Sequence, residues 1–281
     1  MSVVVNNNIA SLIAQRNLNG NTDKLVKSIE RLSSGYRINR ASDDAAGLSI
    51  SENLRAQIRG NAKAMNNIQD GINMLSIAEG GLSVIGENIQ RIRELCVQAA
   101  NATNATNEKT AILSEINARI QDINRISSSA QFNKLSLLDG TLSSAKLQIG
   151  AGSASLNVID ISTVLSTSAD ASAIGISLTA TGATWSGDSI RSYLNNLDSA
   201  LTIINSKRSE LGAYQNRLES ALENLSIMNE NLRASESRIR DLDVAEESAT
   251  MTKYQILQQA SASVLAQANR LPQIALPLIS G

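Results

Sequence analysis

The 281-residue chain has no histidine, one cysteine, one tryptophan and one phenylalanine, and its two prolines, Pro272 and Pro277, both fall within the last ten residues. Each scarcity excludes something. Without histidine there is no Ser-His-Asp or Cys-His activation of a nucleophile, no histidine-ligated zinc, and no side chain whose ordinary pKa lies near neutrality. With Cys96 as the sole thiol there is neither an intrachain disulfide nor a cysteine-cluster metal site. The expectation is a protein that is not an enzyme and holds no cofactor or metal. Aromatic residues make up 2% of the chain although hydrophobic residues make up 42%, so burial rests on Leu, Ile, Val, Ala and Met, the material of helix-on-helix packing. No proline interrupts the first 271 residues, so long helices are allowed.

An excess of charge of either sign is also lacking. Lys plus Arg number 25 and Asp plus Glu 26, for a formal net charge of −1. This supplies no general attraction to nucleic acid or to an anionic membrane, and it lets like subunits approach one another. The opening MSVVVNNNIASLIAQRN has no basic n-region, and its first apolar run is only Val3 to Val5, so no cleavable signal peptide is expected. No stretch approaches the roughly 20 apolar residues of a membrane span.

What the chain does contain is hydrophobic periodicity. A repeat runs from Leu54 through Ile58, Asn61, Met65, Ile68, Ile72, Leu75, Ala78, Leu82, Ile85, Ile89, Ile92 and Cys96 to Ala99, in steps of three and four. That is the coiled-coil period, and it predicts a helix on the order of 65 Å long. A shorter stripe at Leu113, Ile116, Ile120, Ile123 and Ile126 follows the polar turn NATNATNE and reads as its antiparallel partner. A third helix carries Ile190, Leu194, Leu197, Leu201, Ile204, Leu211, Leu218, Leu222, Leu225, Leu232 and Ile239. Its seam admits Arg208, Gln215, Asn229 and Glu236, polar entries that weaken a coiled coil and fix its register.

The termini carry thinner stripes. Leu18, Thr22, Leu25, Ile29 and Leu32 near the start, and Tyr254, Leu257, Val264, Ala268 and Leu271 near the end, sit on helices otherwise rich in Asn, Gln and Ser. A stripe so narrow does not support a free-standing helix, so each terminus needs a partner, both the other terminus and a neighbouring molecule. Between about residues 140 and 187 the texture turns to Ser, Thr, Ala and Gly, with LQIG and LNVIDI alternating as short strands across AGSAS. This predicts one small hairpin and loop. The resulting fold class is mainly α: a coiled-coil rod over 43–242 with a hairpin insertion at about 140–187, and a separate core of paired terminal helices over 1–42 and 243–281.

Several features could be taken for sites. The adjacent acids Asp43–Asp44 and Glu246–Glu247 read as helix-end electrostatics, because neighbours on a helix point about 100° apart. Cys96 occupies a seam slot and reads as a small core residue. Arg31, Arg37 and Arg40, around Ser33, Ser34, Gly35 and Tyr36, lack a phosphate-binding glycine loop and read as a turn with solvated or interface arginines. Gly71, after Asp70, reads as tolerated within a long helix, whereas Gly140, after Asp139, closes the helical region.

Two dense segments remain: SSGYRINRASDDAAGLSISENLRAQIRG at 33–60 and SKRSELGAYQNRLESALENL at 206–225. Together with NNNIASLIAQRNL at the start and QANRLPQ near the end, they resemble bacterial flagellin over roughly residues 1–142 and 188–275. The resemblance implies a self-assembling, secreted subunit of the extracellular flagellar filament, without the outermost variable domains of larger members. It also implies type III export with a chaperone over the C-terminal helices, and filament cap and hook-associated proteins as further partners. QRIRELCVQAAN at 90–101 and SEINARI at 114–120 resemble the patch read by the flagellin-sensing host receptor, matching at Arg91, Leu95 and Glu115. Because Arg91 and Leu95 are four apart, both are expected on an accessible flank of the long helix. Pro277 departs from the family's leucine-rich ending and is expected to stop the last helix early. A hook-filament junction protein of the same superfamily and a cytosolic coiled-coil scaffold are the alternatives.

Overall fold

A computed structural model describes residues 7–101, 103–177 and 185–270. Leu271, Pro272 and Pro277, and with them the expected early stop, lie outside the described residues. The chain is mainly α-helical. In order it forms α1 (Ile9–Ser34), α2 (Ala45–Ala99), α3 (Thr106–Ser129), β1 (Gln131–Phe132), β2 (Leu135–Ser136), β3 (Lys146–Gln148), a 3-10 turn (Ser155–Asn157), β4 (Val158–Asp160), α4 (Ser162–Leu165), α5 (Gly187–Arg240) and α6 (Val244–Arg270). The described chain divides into two compact units, one of Met1–Ala56 with Asn231–Gly281 and one of Gln57–Glu230. The divisions fall within α2 and α5, at positions displaced from the expected 42/43 and 242/243 boundaries.

Helix ends follow local chemistry. Asn8 caps α1 by accepting a hydrogen bond from the Ser11 amide at 3.1 Å, and Gly35, at φ 73°, closes it by donating to the Arg31 carbonyl. Only glycine takes that left-handed turn without cost. Asp44 accepts from the Gly47 amide at 2.8 Å at the start of α2, and Asp243 accepts from Ala245 and Glu246 at the start of α6.

The core of the second unit is α2 packed with α3 and α5. Ile68, Leu82, Ile89 and Ile92 of the expected seam are fully or almost fully buried and Ile58 is buried, while Leu54, in the first unit, and Ile72 are half-buried. On α5, Leu218 and Leu225 are buried and Leu222 is half-buried. The buried face of α2 is wider than a two-stranded seam, however, because it has more than one neighbour. Arg119 of α3 donates to Asn88 on one flank, and Arg93 meets Asp198 of α5 on another. Ala64, Met74, Asn88 and Leu95 are therefore also buried.

The hairpin forms as expected to within two residues: β3 pairs antiparallel with β4, Leu147 opposite Ile159. A second small pair was not foreseen. β1 and β2 join through Asn133 and Lys134, both at positive φ (47° and 67°), the conformation that turns a two-residue hairpin loop. Asn133 is the signal for it, masked by a lysine where glycine is usual.

Gly71 is not merely tolerated. A Cβ there would lie 2.4 Å from Leu147 Cδ1, one at Gly60 would lie 2.5 Å from the Ala151 Cβ, and one at Gly81 would lie 2.8 Å from Leu138 Cδ1. Steps of 11 and 10 residues are close to three helical turns, so the three glycines line one side of α2 as sockets for the hairpin region. Each glycine weakens a helix by about 1 kcal/mol; here the loss is offset by close approach.

Candidate assembly surfaces

In the first unit α1 and α6 pack against each other, and the antiparallel sense is set by cross-links at both ends. Asn8 donates to the Ala268 carbonyl (2.7 Å), Ser11 to Asn269 (2.6 Å), Asn21 to Ser261 (2.9 Å) and Gln258 to Thr22 (3.1 Å), while Arg31 faces Glu247 at 3.6 Å. The covered positions step in threes and fours: Ser11, Ala14, Leu18, Asn21, Leu25, Ser28 and Leu32 on α1, and Glu247, Met251, Tyr254, Gln258, Ser261, Leu265 and Ala268 on α6. This is a heptad seam. Its fully buried positions, Ala14, Ser28, Glu247 and Ala268, are small or polar, and its larger apolar members, Leu265 among them, are only half-covered.

The apolar stripes read from the sequence are thereby divided. Leu18, Leu25, Leu32 and Tyr254 are half-buried toward the seam, whereas Ile29 (49% exposed), Leu257 (37%) and Val264 (56%) point outward. Ile9, Leu12, Ile13, Val26 and Ile256 join them in exposure. A pair of helices that buries alanine and serine most deeply, while leaving so many large aliphatic side chains in water, carries much of its apolar surface on the outside. Large aliphatic side chains exposed in this number mark a candidate interaction surface.

The two connectors of this unit are tied to each other. Tyr36 bridges Asp241, the Arg37 amide donates to the Arg240 carbonyl at 2.7 Å, and the Leu242 amide donates to the Gly35 carbonyl at 3.0 Å. The Arg240 guanidinium sits 4.7 Å from the Tyr36 ring centroid and bonds Glu52 at 2.6 Å. The basic run is therefore engaged within the unit: Arg31 faces Glu247 with its Nε left unpartnered, Arg37 donates to the Ile239 carbonyl, and Arg40 pairs with Glu30. Asp43 binds Lys27, which holds its carboxyl below the usual carboxylate range. Glu247, read as a helix-end acid, is buried at the seam.

In the second unit Arg91 donates to Glu94 and Glu115 at 3.1 Å each, and these two acids raise its pKa, the hydrogen bond to Glu94 first and that to Glu115 next. Arg91 is exposed and Glu115 half-exposed. Leu95 is not on their flank: it is 2% exposed and belongs to the core. The expectation that it is accessible is corrected, because Leu95 lies three residues after Ile92 and four before Ala99 and α2 buries a face wide enough to include it. Cys96 is fully buried, and burial pushes its thiol up to about 12.

Four polar side chains of the SKRSELGAYQNRL segment have defined partners. Lys207 is buried and donates to the Thr167 and Ser168 carbonyls at 2.8 and 3.0 Å; its pKa is lowered by burial. Arg208 reaches Glu79, Tyr214 shares a hydrogen bond with Thr163, and Gln215 donates to Ser76 at 3.4 Å. Sequence reasoning did not single out Lys207 or Tyr214; their sevenfold spacing from the buried Tyr193 and Ala200 is the signal that finds them.

Comparison with known proteins agrees with this arrangement. The bacterial flagellin N-terminal helical region matches residues 5–143 and the bacterial flagellin C-terminal helical region matches residues 194–279. The chain is 44% identical over 277 residues to a flagellin of Halalkalibacterium halodurans, covering 99% of this chain and 100% of that one. It is 41% identical over 288 residues to the flagellar filament 30.7 kDa core protein of Treponema maltophilum, at the same coverage. A solved chain from Vibrio parahaemolyticus, described as a putative flagellar hook-associated protein, shares the fold at a TM-score of 0.56 and 16% identity, over 71% of this chain and all of that one. The chain belongs to the bacterial flagellin family. No helix among the described residues is long and apolar enough to cross a membrane.

Proposed function

We propose that the chain is the structural subunit of an extracellular bacterial flagellar filament and polymerises through the outward faces of its terminal helix pair. One observation carries this reading: α1 and α6 bury small and polar residues most deeply against each other and leave Ile9, Leu12, Ile13, Val26, Ile29, Ile256, Leu257 and Val264 to be covered by something else. A second copy is the partner that a filament supplies, and a heterologous contact between copies is what extends without closing. Its role is structural and motile rather than enzymatic.

The same exposed face has to be covered before assembly, which supports an export chaperone on α6. Filament cap and hook-associated proteins, as further partners, would meet the same terminal helices. Recognition by a host flagellin receptor is supported at Arg91 and Glu115, which form an accessible charged pair, with Leu95 acting beneath them as core. The decisive experiment is elongation of filament seeds by purified chain carrying Ile29→Asp and Val264→Asp. The expected outcome is a monomer of unchanged helical circular dichroism that does not elongate seeds; filaments of normal length would refute the reading.

A further inference from the structure

Two buried amides in the second unit have no partner. Asn61 on α2 is 2% exposed and Asn229 on α5 is 4% exposed, and neither the Asn61 Nδ2 donor nor the Asn229 Oδ1 acceptor makes a hydrogen bond. The pairing of the two helices puts them at one level. Gln215 bonds Ser76 and Arg93 bonds Asp198 in the same antiparallel register. From Ser76 back to Asn61 is 15 residues and from Gln215 on to Asn229 is 14, so the same register brings the two buried asparagines to the same level to within one residue. Their neighbours along the seam, Ile58 and Ala64 on α2 and Leu225 on α5, are buried and apolar.

We propose that Asn61 and Asn229 form a buried amide pair, bridged by one trapped water, that fixes the register of α2 against α5. An apolar seam with a strict heptad tolerates a slip of seven residues, since leucine meets leucine again. A slip that moves one asparagine opposite leucine leaves two amides buried without partners, each at the full desolvation cost. The in-register arrangement alone sets the two amides at one level, where a single water serves both. The hairpin loop closes over this layer: Asn157, packed on Gly150 and Gly152, borders the same polar cavity of about 390 Å³ as Asn61, and Ala151 rests on Gly60.

The test uses the full chain with Asn61→Leu, Asn229→Leu and both together. Each single replacement strands the facing amide and lowers the Tm by about 3–6 °C, whereas the double variant returns to within about 2 °C of the parent or exceeds it. Single-site losses that simply add in the double variant would overturn the pairing. Register is read separately by oxidation in a Cys96→Ala background. Ser76→Cys with Gln215→Cys cross-links in the parent, and the double leucine variant alone also yields the slipped product between Ser76→Cys and Arg208→Cys. A double variant that never gives the slipped product would overturn the role in register.

Discussion

The two units bury heptad-spaced faces of different composition. The α1–α6 pair closes most tightly on Ala14, Ser28 and Ala268, with Asn21 bonded to Ser261 across the seam, while the second unit closes on Ile68, Leu75, Leu82, Ile85, Ile89 and Ile92. Where large aliphatic residues point inward, the fold is self-sufficient; where they point outward, the fold is provisional until another surface covers it. Burying a large aliphatic side chain contributes about 1.5–3 kcal/mol, and the terminal pair leaves much of that contribution to be realised on association.

The largest effect expected from breaking this contrast is in the second unit. Ile89→Ala removes a fully buried side chain and costs about 2–5 kcal/mol, read as a drop in the thermal midpoint. Next is Gly71→Leu, which drives a side chain into Leu147 and costs about 1–3 kcal/mol; protease sensitivity near the β3–β4 loop should rise while α2 stays helical. By contrast, Val264→Asp, at an exposed position, should change monomer stability by no more than about 0.5 kcal/mol yet abolish seed elongation. Cys96 sharpens the same distinction without mutation: buried, with its thiol pushed up to about 12, it should resist alkylation in the native chain and react on unfolding.

The smallest effect is electrostatic. Lys27 holds the Asp43 carboxyl below its ordinary pKa of about 3.9, so the stabilisation is present above that value and is lost as pH falls through the folded-state pKa. Replacing Lys27 with Met should flatten the acid limb below about pH 4. Because Lys27 is half exposed, the difference is a fraction of a kilocalorie, and helicity followed by acid titration checks it.

The second unit was largely legible in the sequence because an isoleucine-rich stripe announces its own burial. Ile58, Ile68, Leu82, Ile89, Ile92 and Leu218 needed only a period of 3.5 to be placed in the core. Leu95 was misplaced for a physical reason: a period describes one neighbour, and α2 has several. The terminal seam was half legible, since hydrophobicity points to Ile29 and Val264 whereas close approach selects Ser28 and Ser261. The glycine sockets were hidden altogether, because a glycine's purpose lies in the residue that presses on it, and Leu147 is 76 residues away from Gly71 in the chain.

The bridge between the connectors has a mechanical meaning. Gly35 to Arg37 and Arg240 to Leu242 are joined by two backbone hydrogen bonds running in opposite donor directions, with Arg240 stacked on Tyr36 as a third tie. A pull applied to α1 alone or to α6 alone is thereby handed to both strands before it reaches α2 or α5. The load is shared as by two springs in parallel, so tension that would peel one helix away from its seam has to shear three contacts together.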